Sequence, residues 1–168
     1  IEANLPASAT AIAASVAFDP SNVASYNNAT SATVFDAQGN EVALTYYFRK
    51  DAANDWTVYA LPEGETVPQT FALSFGATGA TPTITPATPT VTVANPPSTG
   101  ALSIALDLSQ ITQYGTSFGV TDLTQDGYAP GQLVSVAIEA NGTITARFSN
   151  SETQAAGTVQ LVTFRNPQ

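Results

Sequence analysis

The sequence predicts an all-β fold: an antiparallel β-barrel or sandwich-like outer domain with additional hairpin strands and little or no helix. Three observations carry this prediction. Apolar residues recur with period two, the repeat of a half-buried strand, rather than at helical spacing. Clusters of Gly, Asn, Asp and Pro separate the alternating runs. No stretch shows convincing helical periodicity: Ala7 to Ala14 is rich in a good helix former but develops no apolar stripe.

Val42, Leu44, Tyr46 and Phe48 fall on one face of a strand, with Ala43, Thr45 and Tyr47 on the other. Arg49 to Asp55 reads as polar and turn-like, and Trp56, Val58 and Ala60 resume the alternation, which predicts a hairpin with a longer loop. Phe71, Leu73 and Phe75 alternate with Ala72 and Ser74. Thr81 to Gly100 contains Pro82, Pro86, Pro89, Pro96 and Pro97. Proline removes ladder donors, so this section is not a central strand over its length. It is expected to run as a long connection, with Ile84, Val91 and Val93 available to anchor it as an edge strand or an extended loop. Leu102, Ile104, Leu106 and Leu108 form the cleanest amphipathic strand. Val134, Val136 and Ile138 lead into Asn141-Gly142, and Ile144, Ala146 and Phe148 lead out. That spelling predicts a hairpin with a type I′ turn, in which Gly142 takes a positive φ, so Gly142→Val is expected to impair folding. A final strand is expected over about Thr158 to Phe164, ending near Pro167.

Composition limits the function. The 168 residues suit one domain, or one domain and part of a neighbour, and a core of that size needs no disulfide. Charged residues are only 10% of the chain, with Thr, Ser, Ala, Asn and Gln in their place. Thirteen acids face four bases (Arg49, Lys50, Arg147 and Arg165), a net charge of -9. Nucleic acid and anionic membrane surfaces both require clustered Lys and Arg, so neither is an expected partner. No apolar run approaches the roughly 20 residues of a membrane-spanning helix. Cysteine and histidine are absent, which removes thiol catalysis, thiolate or imidazole metal sites and His-based triads. The N-terminus shows no signal peptide.

Four groups of residues invite a chemical reading. Asp122 with Asp126, and Glu63 with Glu65 around Gly64, are carboxylate pairs of the kind glycoside hydrolysis uses, although solvated loop acids are the expected reading. Asp36-Ala37-Gln38-Gly39-Asn40-Glu41 offers several oxygens to calcium, but it also spells an ordinary hairpin turn, and the turn is expected. Trp56, Tyr59, Tyr46 and Tyr47 are candidates for a sugar-binding platform, with core packing the expectation. Asn28-Ala29-Thr30 and Asn141-Gly142-Thr143 match the glycosylation sequon, the second being better explained as a turn. No catalytic, cofactor or metal residue is assigned, and the chain is not expected to be an enzyme.

A series of motifs then resembles the outer region of the bacterial flagellar hook protein. In order they are Ser25-Tyr26-Asn27, Ala32-Thr33-Val34-Phe35-Asp36-Ala37-Gln38-Gly39-Asn40, Tyr47-Phe48-Arg49-Lys50 and Asn54-Asp55-Trp56-Thr57-Val58-Tyr59. Thr112-Gln113-Tyr114, Gln125-Asp126-Gly127-Tyr128-Ala129-Pro130-Gly131, Phe148-Ser149-Asn150 and Phe164-Arg165-Asn166-Pro167 complete it. The section from Glu63 to Gly100 matches nothing firmly, and neither end carries the apolar heptads of the family's terminal helices. The resemblance implies an internal fragment: an outer β domain over residues 1–125 with a variable Pro/Thr-rich section at 81–100, and hairpin strands of the adjoining domain over 126–168. It implies a structural role in a curved tube that passes motor torque to the filament. Other copies of the subunit are the implied partners, with export outside the cell without a cleaved signal peptide, and the isolated fragment is expected to be monomeric. A rod or hook-cap component of the same apparatus is the alternative within the class. A carbohydrate-binding or adhesin β module is the alternative outside it.

Overall fold

Alternating Val, Leu, Tyr and Phe give the chain one strongly apolar sheet face, and the fold is built around covering it. A computed structural model describes residues 1–36, 38–94 and 100–160. The chain divides into two compact units, Ile1–Gly127 and Tyr128–Gln168. In the first unit, β1 spans Glu2–Pro6, β2 Asn28–Phe35, β3 Glu41–Lys50, β4 Asp55–Pro62 and β5 Gln69–Phe75. Next come β6 (Pro82–Thr85), β7 (Thr90–Val93), β8 (Leu102–Ala105), β9 (Gln110–Tyr114) and β10 (Gly119–Asp122). Strands β2-β3-β4-β5-β6 form an antiparallel meander, β7 pairs with β8, and a third sheet has the order β10-β1-β9.

The meander contributes Leu44, Tyr46, Phe48, Trp56, Val58, Ala60, Phe71, Leu73 and Phe75 to a single core cluster. Leu5 and Ile111 from the β10-β1-β9 sheet, Val91 from β7 and Leu108 close over them. The strand faces read from the sequence are thus the buried ones, and the fold is all-β and sandwich-like. A buried polar link joins the layers: the Trp56 indole donates to Gln113 Oε1 at 2.7 Å, and Gln113 Nε2 donates to Asn54 Oδ1 at 3.0 Å.

Several expectations are corrected. Strand β3 does not stop at Phe48 but runs through Arg49 and Lys50, which are only 5% and 4% exposed. The long-connection reading of Thr81 to Gly100 fails over its described part. The Thr-Val alternation of β7 buries Val91 and Val93, while β6 sits on the edge of the meander with Pro82 as its first residue, a place where a missing donor is tolerated. Pro96 and Pro97 lie outside the described residues. The run Leu102 to Leu108 keeps its alternating burial, but the ladder ends at Ala105. Its partner β7 begins at Thr90, and the Leu106 amide donates instead to the Pro89 carbonyl at 2.9 Å.

Strand β1 carries no long alternating run and was not predicted. It lies between β9 and β10, parallel to the first and antiparallel to the second, so the fold is not purely antiparallel. The Ala-rich stretch after it is not helical. It is held by the end of β3: Lys50 Nζ donates to the Ala7 carbonyl, and Arg49 donates to Val16 O at 2.8 Å and Ala13 O at 3.0 Å. The Ile12 amide donates to Lys50 O at 2.8 Å, and Asn27 Nδ2 to Thr10 O at 2.9 Å.

The second unit is the sheet β11-β12-β13, with β11 at Leu133–Ile138, β12 at Thr143–Phe148 and β13 at Thr153–Thr158. The predicted hairpin is present, but its turn is not type I′. That turn needs positive φ at two residues, and here Gly142 has φ 82 while Asn141 does not enter the left-handed region. The Gly142 amide donates to Glu139 O at 2.9 Å and the Glu139 amide to Thr143 O at 2.8 Å, the pattern of a three-residue loop closed by a left-handed residue. Phe148 to Glu152 repeats it, with Ser151 at φ 69 in the place of the glycine. Strand β13 begins five residues before the expected Thr158, and residues 161–168, including Phe164 and Pro167, lie outside the described residues.

Two predictions follow from these contacts. Gly142→Ala is expected to lower stability by at least about 1 kcal/mol, because the added Cβ would sit 2.4 Å from Val159 O at an unfavourable φ, whereas Ser151→Gly should raise it by up to about 1 kcal/mol. Urea midpoints of the two variants should shift in opposite directions. Gln113→Leu strands the Trp56 indole and is expected to cost about 1–3 kcal/mol, read from the fluorescence of this single tryptophan during unfolding.

Candidate functional site

Each group singled out in the sequence has a definite place. The Asp36 loop is a turn. The Asp36 amide donates to Asn40 O at 3.0 Å, the Gly39 amide donates to Asp36 O at 2.9 Å, and Gly39 has φ 79. Asp36 Oδ1 accepts from the Gln38 and Asn40 amides, both at 2.9 Å, so the carboxylate serves as the cap of its own hairpin. Ala37 lies outside the described residues. Glu63 and Glu65 flank Gly64 at φ 82, and Glu65 Oε1 accepts from the Ala94 amide at 2.6 Å. That engagement makes it a loop fastener rather than half of an acid pair. Asn28 opens β2, and Asn141 Oδ1 accepts from the Thr143 amide at 2.9 Å inside its turn.

The four aromatics divide between two faces. Trp56 and Tyr46 point into the core, in line with the packing expectation. Tyr47 and Tyr59, a cross-strand pair of β3 and β4, lie on the opposite face, so the four cannot form one platform. There Phe18 stacks on Tyr59 with ring centroids 4.0 Å apart and meets Tyr47 edge-on at 5.2 Å, while Tyr26 meets Tyr47 at 4.8 Å. Phe18 and Tyr26 reach this cluster from a loop without periodicity, so no local pattern announces their meeting with Tyr47 and Tyr59. Burial and the neighbouring Tyr26 both raise the Tyr47 pKa.

Asp122 and Asp126 do share a site. Together with Glu2 and Asp107 they line a cavity of about 440 Å³ whose apolar wall includes Val34, Ile104 and Leu106. The sequence pointed to two of these acids and missed the others, because Glu2 and Asp107 arrive from distant segments. Ser109 donates to Asp107 Oδ1 through its amide at 2.9 Å and its hydroxyl at 2.6 Å, which holds that carboxyl below the usual carboxylate range. Tyr46 also borders the cavity, and burial pushes its phenol up to about 12.

Comparison with known proteins places these features in a family. The model for the flagellar basal body protein FlaE D2 domain matches residues 4–128. The chain is 34% identical over 157 residues to the flagellar hook protein FlgE of Escherichia coli K12, covering 89% of this chain and 38% of that protein. FlgE of Salmonella typhimurium is 31% identical over 157 residues, with 89% and 38% covered. FlgE of Rhizobium meliloti is 31% identical over 146 residues, with 82% and 36% covered. The crystal structure of the Helicobacter pylori flagellar hook protein FlgE2 superposes with a TM-score of 0.54 at 17% identity, over 79% of this chain and 32% of that one, which shows a shared fold. The chain therefore spans well under half the length of the relatives it matches.

The Tyr46 phenol sets an alkaline limit. Its folded pKa lies above the ordinary value of 10.0, so its contribution is intact below pH 10 and is lost as pH rises toward 12, when the unfolded chain ionises first. Wild type is expected to lose up to about 2 kcal/mol over that interval through this group, and Tyr46→Phe should flatten the loss. Melting temperatures of both proteins at pH 9 and pH 11.5 measure it.

Proposed function

Because the chain belongs to the flagellar basal body protein FlaE D2 domain family, we propose that it is part of a flagellar hook subunit, with a structural role rather than a catalytic one. In this reading residues 1–125 form an outer β domain of a flexible tube that carries motor torque to the filament. Residues 126–168 belong to the adjoining domain of the same subunit. Other copies of the subunit are its partners, and it works outside the cell.

The observation that carries the proposal is the coincidence of the family match, residues 4–128, with one closed unit, Ile1–Gly127. Its physical character supports the role. The unit is a meander clamped by two further sheets, which suits a body that must move without deforming. Only 10% of the residues are charged, so its contacts with neighbours would be polar, wet and easily remade, unlike the apolar core of an obligate interface. In the second unit, Leu133, Val134, Val136 and Ile138 are exposed on β11, which favours further cover from the parent subunit. The sugar-binding alternative is disfavoured by the division of the four aromatics between two faces.

Deleting residues 5–125 from the full-length parent gene is the decisive experiment. Absent, straight or mechanically faulty hooks by electron microscopy, with impaired swimming, are the expected outcome. Normal hooks with full motility would refute the structural role.

A further inference from the structure

Four of the thirteen acids, Glu2, Asp107, Asp122 and Asp126, line the cavity beside β1 and β10, and its lining contains no Lys or Arg. Glu2 and Asp122 stand opposite each other in the β1–β10 ladder, an arrangement in which like charges repel. Asp107 is engaged by Ser109, but the carboxylates of Glu2, Asp122 and Asp126 make no hydrogen bond or ion pair among the described residues. A second observation is independent of the acids. Tyr46 is only 2% exposed and borders the cavity, yet its hydroxyl has no hydrogen-bond partner among the described residues. That hydroxyl is also not among the fully enclosed unpartnered atoms, so it keeps access to the cavity space. The Ile1 ammonium also borders the cavity and sits at the Asp107 carbonyl, 2.9 Å away; beside it the site presents the partnerless carboxylates of Glu2, Asp122 and Asp126, a spare hydroxyl acceptor and an apolar wall of Val34, Ile104 and Leu106.

The occupant this chemistry selects is a cation with an apolar stem and several donors. Among the described residues no three acids are close enough to hold a metal ion. A guanidinium suits the site better: its planar fork reaches separated acceptors, and its methylenes lie against aliphatic side chains. The chain's own bases narrow the source. Among the described residues, Arg49 and Lys50 are consumed within the first unit, which leaves Arg147. Arg147 is exposed on β12, flanked across the ladder by Ser135 and Thr153, and its guanidinium makes no polar contact among the described residues.

We propose that this cavity is a docking site for Arg147 of a second copy of the chain. Donor and acceptor are different surfaces, so one copy can offer its donor to a neighbour while its own cavity receives another, the head-to-tail repeat that a tubular polymer requires. Its strength comes from partly solvated charges. It is screened by salt and individually weak, which lets it break and re-form as neighbours slide. The inference rests on the hook reading and deepens it by naming one subunit contact.

The test uses hooks isolated from cells whose full-length subunit carries Arg147→Lys, treated with a zero-length carbodiimide that joins an amine to a carboxylate. The expected result is a ladder of covalent subunit multimers, with mass spectrometry locating the amide between position 147 and the segments of Asp122 or Asp126. Asp122→Asn combined with Asp126→Asn should abolish that product. Coupling only within single chains, or none at the cavity, would overturn the contact and leave the hook reading standing. Hooks that contain none of this protein would overturn both. A second readout guards against variants that fail to assemble: loss of hooks with Arg147→Glu, restored by Asp126→Arg, supports the pairing, and failure of that rescue in folded subunits overturns it.

Discussion

The fold depends on one constraint: the apolar face of the β2-β3-β4-β5-β6 meander must be kept from water. That face carries an indole, three phenylalanine rings and several aliphatic side chains, each worth roughly 1.5–3 kcal/mol when buried. A single sheet cannot bury its own face. The remaining segments of the first unit are therefore recruited as cover: Leu5 from β1, Ile111 from β9, Val91 from β7 and Leu108 from the link between β8 and β9. Short strands such as β7 and β8 would be marginal as an isolated hairpin, and here they persist because their inward residues complete this core.

The same constraint explains the use of scarce charge. Two of four basic residues sit side by side at the end of β3 and are almost fully buried. Alternation sends them to opposite faces: Lys50 lies near the Trp56 ring at 5.6 Å and donates to Ala7, while Arg49 takes the carbonyls of Ala13 and Val16. An irregular loop leaves carbonyls without ladder partners, and burying them without donors is costly. The two cations supply those donors. They also bring Phe18 onto Tyr59 and Tyr47, so the loop covers part of the outer face with aromatic contact. Both are spent on folding, and the surface left behind is acidic and sparsely charged.

A surface of that kind suits transient association. With a net charge of -9, copies of the chain repel at long range, and specific contact must come from local complementarity.

The sequence alone determined the class of fold, the buried faces of β3, β4 and β5, and the existence of the β11–β12 hairpin. These are local matters: period-two patterning and turn chemistry act over a few residues, and Val42, Leu44, Tyr46 and Phe48 state their face without reference to the rest of the chain. Tertiary structure decided what depends on distant partners. β1 has no pattern of its own and becomes a strand only because β9 and β10 lie on either side of it. The Pro/Thr-rich section becomes two strands because β5 and β8 offer ladders to it. The turn at Asn141-Gly142 takes a three-residue form because the register pairing Ile138 with Ile144 leaves five residues to close the hairpin. Asp122 and Asp126 could be named in advance, but their meeting with Glu2, Asp107 and the Tyr46 hydroxyl could not, because contacts between separate strands and loops are set by the packing of sheets rather than by spacing along the chain.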